Sequence, residues 1–252
     1  MKRSFCVVLT ALLCLAFLSF GVSAQTYDLS DTDMSIRLDD TMWYVFTRDN
    51  IENNPELEEL GITYDFIYDV LYDNDAYMDA IIGYEDGGYM ELFIRKAPLD
   101  TGVANLTNYE NDEVLELAEA LAEKAGTETY SVYESRYKFA KLEYFDEEVG
   151  CYVCEYITIA NKDDYTLTFQ SETEFEDWEY EEMETIVDSI QFEIDPSLKE
   201  EKDGFWNNVI TNASGGALVG GIAGAVIGFA KKRKKKAAQE EEVPPVNGPE
   251  LD

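Results

Sequence analysis

From Val209 to Ala230 the chain carries no charged residue, and within that stretch Gly216, Gly220, Gly224 and Gly228 recur every fourth position. Lys231, Lys232, Arg233, Lys234, Lys235 and Lys236 follow without interruption. As a helix, 22 residues at about 1.5 Å each extend about 33 Å, enough for the hydrocarbon core of a bilayer. The cation run is a topology stop that holds its end in the cytoplasm and attracts anionic lipid. Glycine at every fourth position lays a stripe without side chains along one helix face, where a second helix can approach closely. Ala213, Ala217, Gly221 and Ala225 widen that stripe. The expected span is therefore 207–230, assembling with copies of itself or with a partner membrane protein.

The other end of the chain agrees with this topology. Lys2 and Arg3 precede an apolar core from Phe5 to Phe20, and Val22-Ser23-Ala24 has small residues where signal peptidase reads. Residues 1–24 are thus expected to be a secretory signal peptide, with Gln25 first in the mature chain. The whole reads as a single-pass type I protein of the cell membrane. Its domain at 25–195 is extracellular, 196–206 is a juxtamembrane linker, and 231–252 is the basic stop plus a disordered cytoplasmic tail.

Charge narrows what the outer domain can meet. Outside the leader and the basic run 11 basic residues remain, against 48 acids once the tail's five are set aside, a net charge of about −37. Such a field repels nucleic acid and anionic lipid, and it draws a cationic or basic ligand. The chain has no histidine. That excludes Ser–His and Cys–His nucleophile pairs, His-ligated zinc and histidine pH switches. No cofactor motif is present, and carboxylate, lysine, tyrosine and serine chemistry is what remains.

Patterning within the outer domain predicts mixed structure. Met34, Ile36 and Leu38 alternate with polar neighbours, as do Trp43, Val45 and Thr47 with Tyr44 and Phe46, predicting two antiparallel strands joined at Asp39-Asp40-Thr41. Asn54-Pro55 starts a short helix that Gly61 stops, and another runs over 64–72. Strands are expected at 78–84 and 89–96 around a Glu85-Asp86-Gly87-Gly88 turn. A helix from Asn111 to Gly126 places Val114, Leu117, Ala118 and Leu121 on one face. Strands follow at 129–134, 138–145, 151–160 and 165–171, then a helix over 174–189 with Phe175, Trp178, Met183, Ile186 and Val187 as apolar positions, and a closing strand at 190–194. Consecutive hairpin strands with inserted helices predict an α+β fold, an antiparallel sheet flanked by helices.

Met34-Ser35-Ile36-Arg37-Leu38 followed by Trp43-Tyr44-Val45, then Tyr165-Thr166-Leu167-Thr168-Phe169, and finally Ile186-Val187-Asp188-Ser189-Ile190-Gln191-Phe192 resemble the PsbP/Mog1-like α/β/α sandwich family. The form resembled is that of secreted or anchored proteins of Gram-positive bacteria, and the likeness covers about residues 27–195. It implies binding or accessory roles more often than catalysis, and it supplies no functional residue.

Cys151 and Cys154 are the mature chain's two cysteines. An oxidising exterior favours pairing, yet three residues of extended strand separate their Cα atoms by about 10 Å, beyond disulfide reach. A bond needs a bend, which Gly150 can provide; otherwise both stay free. Two acid groups, Asp28 with Asp31 and Asp33, and Asp73 with Asn74, Asp75 and Asp79, depart from the calcium-loop pattern, which requires a glycine where Ile36 and Met78 stand. The favoured function is a non-enzymatic surface binding module, an accessory subunit of an envelope complex. The alternative is an extracytoplasmic enzyme using carboxylate or tyrosine chemistry.

Overall fold

The computed structural model describes residues 24–198, apart from 53, 74, 85–87, 100–102 and 148. The expected leader up to residue 23, the glycine stripe, the basic run and the tail lie outside the described residues, while Ala24, the last residue of that leader, opens the first strand. Among those described, no helix is long and apolar enough to cross a membrane.

The elements in order are β1 (Ala24–Asp28), β2 (Met34–Asp39), β3 (Tyr44–Thr47), α1 (Pro55–Leu60) and α2 (Tyr64–Tyr68), which continues into a π-helical turn (Asp69–Asp73). Then come β4 (Ala76–Gly83), β5 (Tyr89–Pro98), a 3₁₀ turn (Leu106–Asn108), α3 (Asn111–Ala125) and β6 (Thr129–Glu134). The rest is β7 (Lys138–Asp146), β8 (Cys151–Ala160), β9 (Asp163–Ser171), α4 (Asp177–Ser189) and β10 (Gln191–Phe192). Seven strands form one antiparallel sheet in the order β3-β4-β5-β9-β8-β7-β6, and β1-β2-β10 form a second, small sheet. The α+β class and the antiparallel sheet are as expected.

The expected hairpin of β2 with β3 is not formed. β2 pairs with β1 and β10, whereas β3 pairs with β4 at the edge of the large sheet. Asp39–Trp43 is a corner between layers rather than a hairpin turn, with the Trp43 N–H donating to the Asp39 carbonyl (2.9 Å). The reason is burial. Met34, Ile36 and Leu38 of β2 and Val45 of β3 all belong to one core cluster, so the strands stack across it instead of sharing one sheet.

Most element ends have local causes that the chain spells out. The Asn54 side chain accepts the Glu56 N–H (2.9 Å) with Pro55 in the first helical position, and Gly61 at φ 69° ends α1. Gly126 at φ 72° ends α3. That helix is capped at Glu110 and not at Asn111, because Glu113 reaches back to accept the Glu110 N–H (2.9 Å). Asn161 and Lys162 both have positive φ (54° and 68°), the two-residue primed turn that suits the twist of β8 and β9.

One face of the large sheet carries the main core. There Met90, Leu92, Ile94, Tyr156, Leu167 and Phe169 pack under β2 and under Met183, Ile186 and Val187 of α4. The other face has two separate covers. Leu57 of α1, Ile62 of the connection, Ile67 of α2 and Leu71 of the π-helical turn pack against Phe46, Ile81 and Phe93. Helix α3 packs Val114, Leu117 and Leu121 against Ala140, Leu142 and Ile157. The middle of that face falls between the two covers and is polar.

Candidate functional site

Three features bear on function: a row of buried ionisable groups, the cysteine pair, and an aromatic cleft.

On the twice-covered face β9 presents only polar residues, Asp164, Thr166, Thr168 and Gln170, all buried. Register places Glu91 opposite Gln170, Arg95 opposite Thr166, and Glu155 opposite Thr168. Asp79 of β4 lies one diagonal from Glu91. The Gln170 amide donates to Glu91 Oε2 (2.6 Å) and the Thr168 hydroxyl to Glu155 Oε1 (3.1 Å). Burial pushes Asp79, Glu155 and Asp164 each up to about 7. Burial, together with the neighbouring Asp79 carboxyl, drives Glu91 well above the usual carboxylate range. Arg95 opposes this by favouring ionised Glu155 and Asp164, while burial lowers its own pKa. Carboxyls near neutrality suit acid–base work, but Asp79 and Glu91 are 1% and 0% exposed, so a substrate has no approach to them among the described residues. The row acts on stability.

Cys151 and Cys154 are both free and buried. The bend that a bond would need is absent: β8 stays extended, so residues three apart point to opposite faces. Cys151 shares the polar face with Glu91, and Cys154 sits in the main core. Burial raises both thiols, Cys154 to about 12, and thiols so protonated are poor nucleophiles. Of the two acid groups, Asp33 is held by the Asn161 amide (2.8 Å), and Asp79 turns into the buried row, away from the exposed Asp73.

The aromatic cleft, of about 800 Å³, lies where the β2–β3 corner meets the start of α4, lined by Trp43, Tyr84, Trp178, Met42, Asp40 and Glu56 among others. Trp43 is 2% exposed and donates its indole N–H to Glu182 Oε1 (3.0 Å). Trp178 is 40% exposed and meets Tyr84 edge to face at 5.2 Å. The Tyr84 hydroxyl donates to Glu179 Oε1, while Glu179 Oε2 accepts the Glu176 N–H (2.7 Å) and so caps α4. One carboxylate thus fixes both a helix start and a wall of the cleft. Asp40 and Glu56 are close enough to Tyr27 to raise its pKa, after burial, so they put negative charge at the rim. Aromatic faces beside carboxylates form a receptor for a cation. Replacing Glu179 by Ala removes the cap and the Tyr84 anchor together; chemical denaturation is expected to show a loss of about 2 kcal/mol.

The sequence pattern puts Trp178 among the apolar positions of its helix. The inward position is instead taken by Glu179, 2% exposed, four residues before Met183. Trp178 is displaced to the rim, and this displacement creates the cleft. Of the residues singled out in the sequence, the cysteines lie in β8, and the glycine stripe and the cation run fall outside the described residues.

Among solved structures, a crystal structure from Bacteroides thetaiotaomicron is 10% identical, aligned over 63% of this chain and 44% of that one, with a TM-score of 0.32. The solution structure of cyanobacterial PsbP (CyanoP) from Synechocystis is 12% identical, aligned over 69% of this chain and 95% of that one, with a TM-score of 0.36. The chain therefore spans less than half the length of the first. No family model and no curated protein matches it.

Proposed function

We propose that this is a membrane-anchored, non-enzymatic binding module of the PsbP/Mog1-like form. Its outer domain takes up a cationic or basic ligand in the cleft at Tyr84 and Trp178, above the buried Trp43. One observation carries the reading: an open aromatic cleft with carboxylates at its rim, on a domain of net charge about −37. The glycine stripe at 216, 220, 224 and 228 supports self-association, which presents several clefts together and raises avidity by effective concentration. The buried acids give the enzymatic alternative its chemistry, but their burial favours binding.

The test uses full-length protein in detergent micelles with tetramethylammonium as the probe, read by tryptophan fluorescence. Saturable quenching that is lost in Trp178→Ala supports the reading; an identical response in that variant overturns it. Assembly has its own check. Gly220→Leu and Gly224→Leu are each expected to abolish cross-linked oligomers trapped by a photo-reactive probe at Val219. Cross-links to a different membrane protein would make the chain an accessory subunit.

A further inference from the structure

A second surface carries a pattern that the cleft does not use. From Tyr64 the chain reads Tyr-Asp three times at four-residue spacing: Tyr64-Asp65, Tyr68-Asp69 and Tyr72-Asp73. Helix α2 and the π-helical turn after it place the three tyrosines in a line. Tyr64 and Tyr68 have ring centroids 5.8 Å apart, and Tyr68 stacks on Tyr72 at 4.4 Å. All three are 40–42% exposed, among the most exposed large side chains of the described residues. The opposite side of the same segment buries Ile67, Val70 and Leu71, so the core accounts for the helix but not for the tyrosine line.

The line already receives one cation. The Arg48 guanidinium sits 4.9 Å from the Tyr72 ring centroid and 3.9 Å from that of Tyr77. It is fixed there by donating Nε to the Leu71 and Ala76 carbonyls (3.2 and 2.9 Å) and Nη2 to the Leu71 carbonyl (2.7 Å). Arg48 thus occupies the end of the line and leaves the next two rings without a described cation. At the other end Tyr64 forms part of a cavity of about 730 Å³ with an apolar side from Ile51, Leu57 and Ile62, beside Glu52. The surface therefore runs from an apolar pocket, along aromatic rings at one-turn spacing, flanked by a parallel row of aspartates.

We infer that this tyrosine–aspartate line is a docking site for a basic amphipathic helix of another protein. Arginine or lysine at four-residue spacing lies along Tyr64 and Tyr68, and one apolar side chain enters the pocket at Ile51 and Leu57. Charge complementarity selects this occupant: cations gain from both ring faces and carboxylates, and equal spacing lets a helix match a helix. A second copy of the acidic outer domain is disfavoured by like charge. The inference rests on the binding-module reading only for the sign of the ligand's charge; its residues are separate from the cleft.

The test is fluorescence anisotropy with full-length protein in micelles and two labelled alanine-based helical peptides of equal charge. One has arginine at every fourth position, and the other has the same arginines scattered around the helix. The in-line peptide is expected to bind at least tenfold more tightly. Tyr68→Ala and the pair Asp65→Asn with Asp73→Asn are each expected to weaken it at least fivefold, with the thermal unfolding temperature unchanged. Trp178→Ala is expected to leave it untouched. Equal binding of the two peptides, no binding of either, or full binding by Tyr68→Ala overturns the docking site. Sensitivity to Trp178→Ala alone also overturns it, and moves peptide binding to the cleft. Loss of tetramethylammonium binding with peptide binding intact overturns the cleft and leaves the docking site standing.

Discussion

Thermal unfolding is expected to occur at a clearly higher temperature at pH 5 than at pH 8. Asp79, Glu155 and Asp164 are pushed up to about 7 in the fold, and Glu91 is raised well above the usual range. In the unfolded chain such groups ionise near 4. Between about pH 4 and 7 the folded state therefore binds more protons than the unfolded one, and stability falls as pH rises. The stabilisation is fully present below about pH 4 and lost as pH passes 7, later for Glu91. A displacement of about three units corresponds to about 4 kcal/mol for one group, or about 10 °C in a domain of this size. Repulsion among surface carboxylates acts in the same direction, but 0.5 M salt screens it and leaves the buried part. Asp79→Asn combined with Glu91→Gln should flatten the profile in high salt. A melting temperature that is level or rising from pH 5 to pH 8 would contradict the burial of this row.

The second large effect is at Arg95. Register puts it on the same sheet face as the row, opposite Thr166, and its charge favours ionised Glu155 and Asp164. Among the described residues the guanidinium forms no ion pair with either carboxylate, and its Nε and Nη2 have no hydrogen-bond partner, so its attraction acts through space and is worth about 2 kcal/mol. Arg95→Ala is expected to lower urea-unfolding stability by that amount at pH 8. At pH 5 the two carboxyls are protonated and need no counter-charge, so the loss shrinks. A cost that is equal at both pH values would mean that Arg95 contributes packing by its stem and not charge.

How far such features were legible depended on whether their cause is local. Asn54-Pro55, Gly61 and Gly126 mark helix ends because capping geometry is written in adjacent residues. The alternation over 165–171 correctly marks a strand with one apolar face, and the structure extends it back to Asp163. The same alternation implies that its polar face meets water, and here it does not, since the covers come from segments about 50 to 100 residues earlier in the chain. Glu91 and Arg95 inside the apolar run of β5 were the available sign, because a charge in a central strand must find company or give up its proton. The cleft had no such sign. Trp43, Tyr84 and Trp178 meet only because β2 and β3 part at a corner and Glu179 takes the inward position on α4. Neither event has a local pattern. The cysteines were half legible: strand spacing set them too far apart to bond, and the structure adds their opposite faces.

The central claim, a cation received between aromatic rings of the outer domain, is tested most directly by fluorine NMR. The full-length protein is labelled with 5-fluorotryptophan and titrated with tetramethylammonium. Its three tryptophans, Trp43, Trp178 and Trp206, give three resonances, each assigned by a single Trp→Phe variant. A saturable shift of the exposed Trp178 signal is expected, with Trp206 in the expected linker unmoved. A Trp178 signal that stays fixed at saturating probe would contradict this reading.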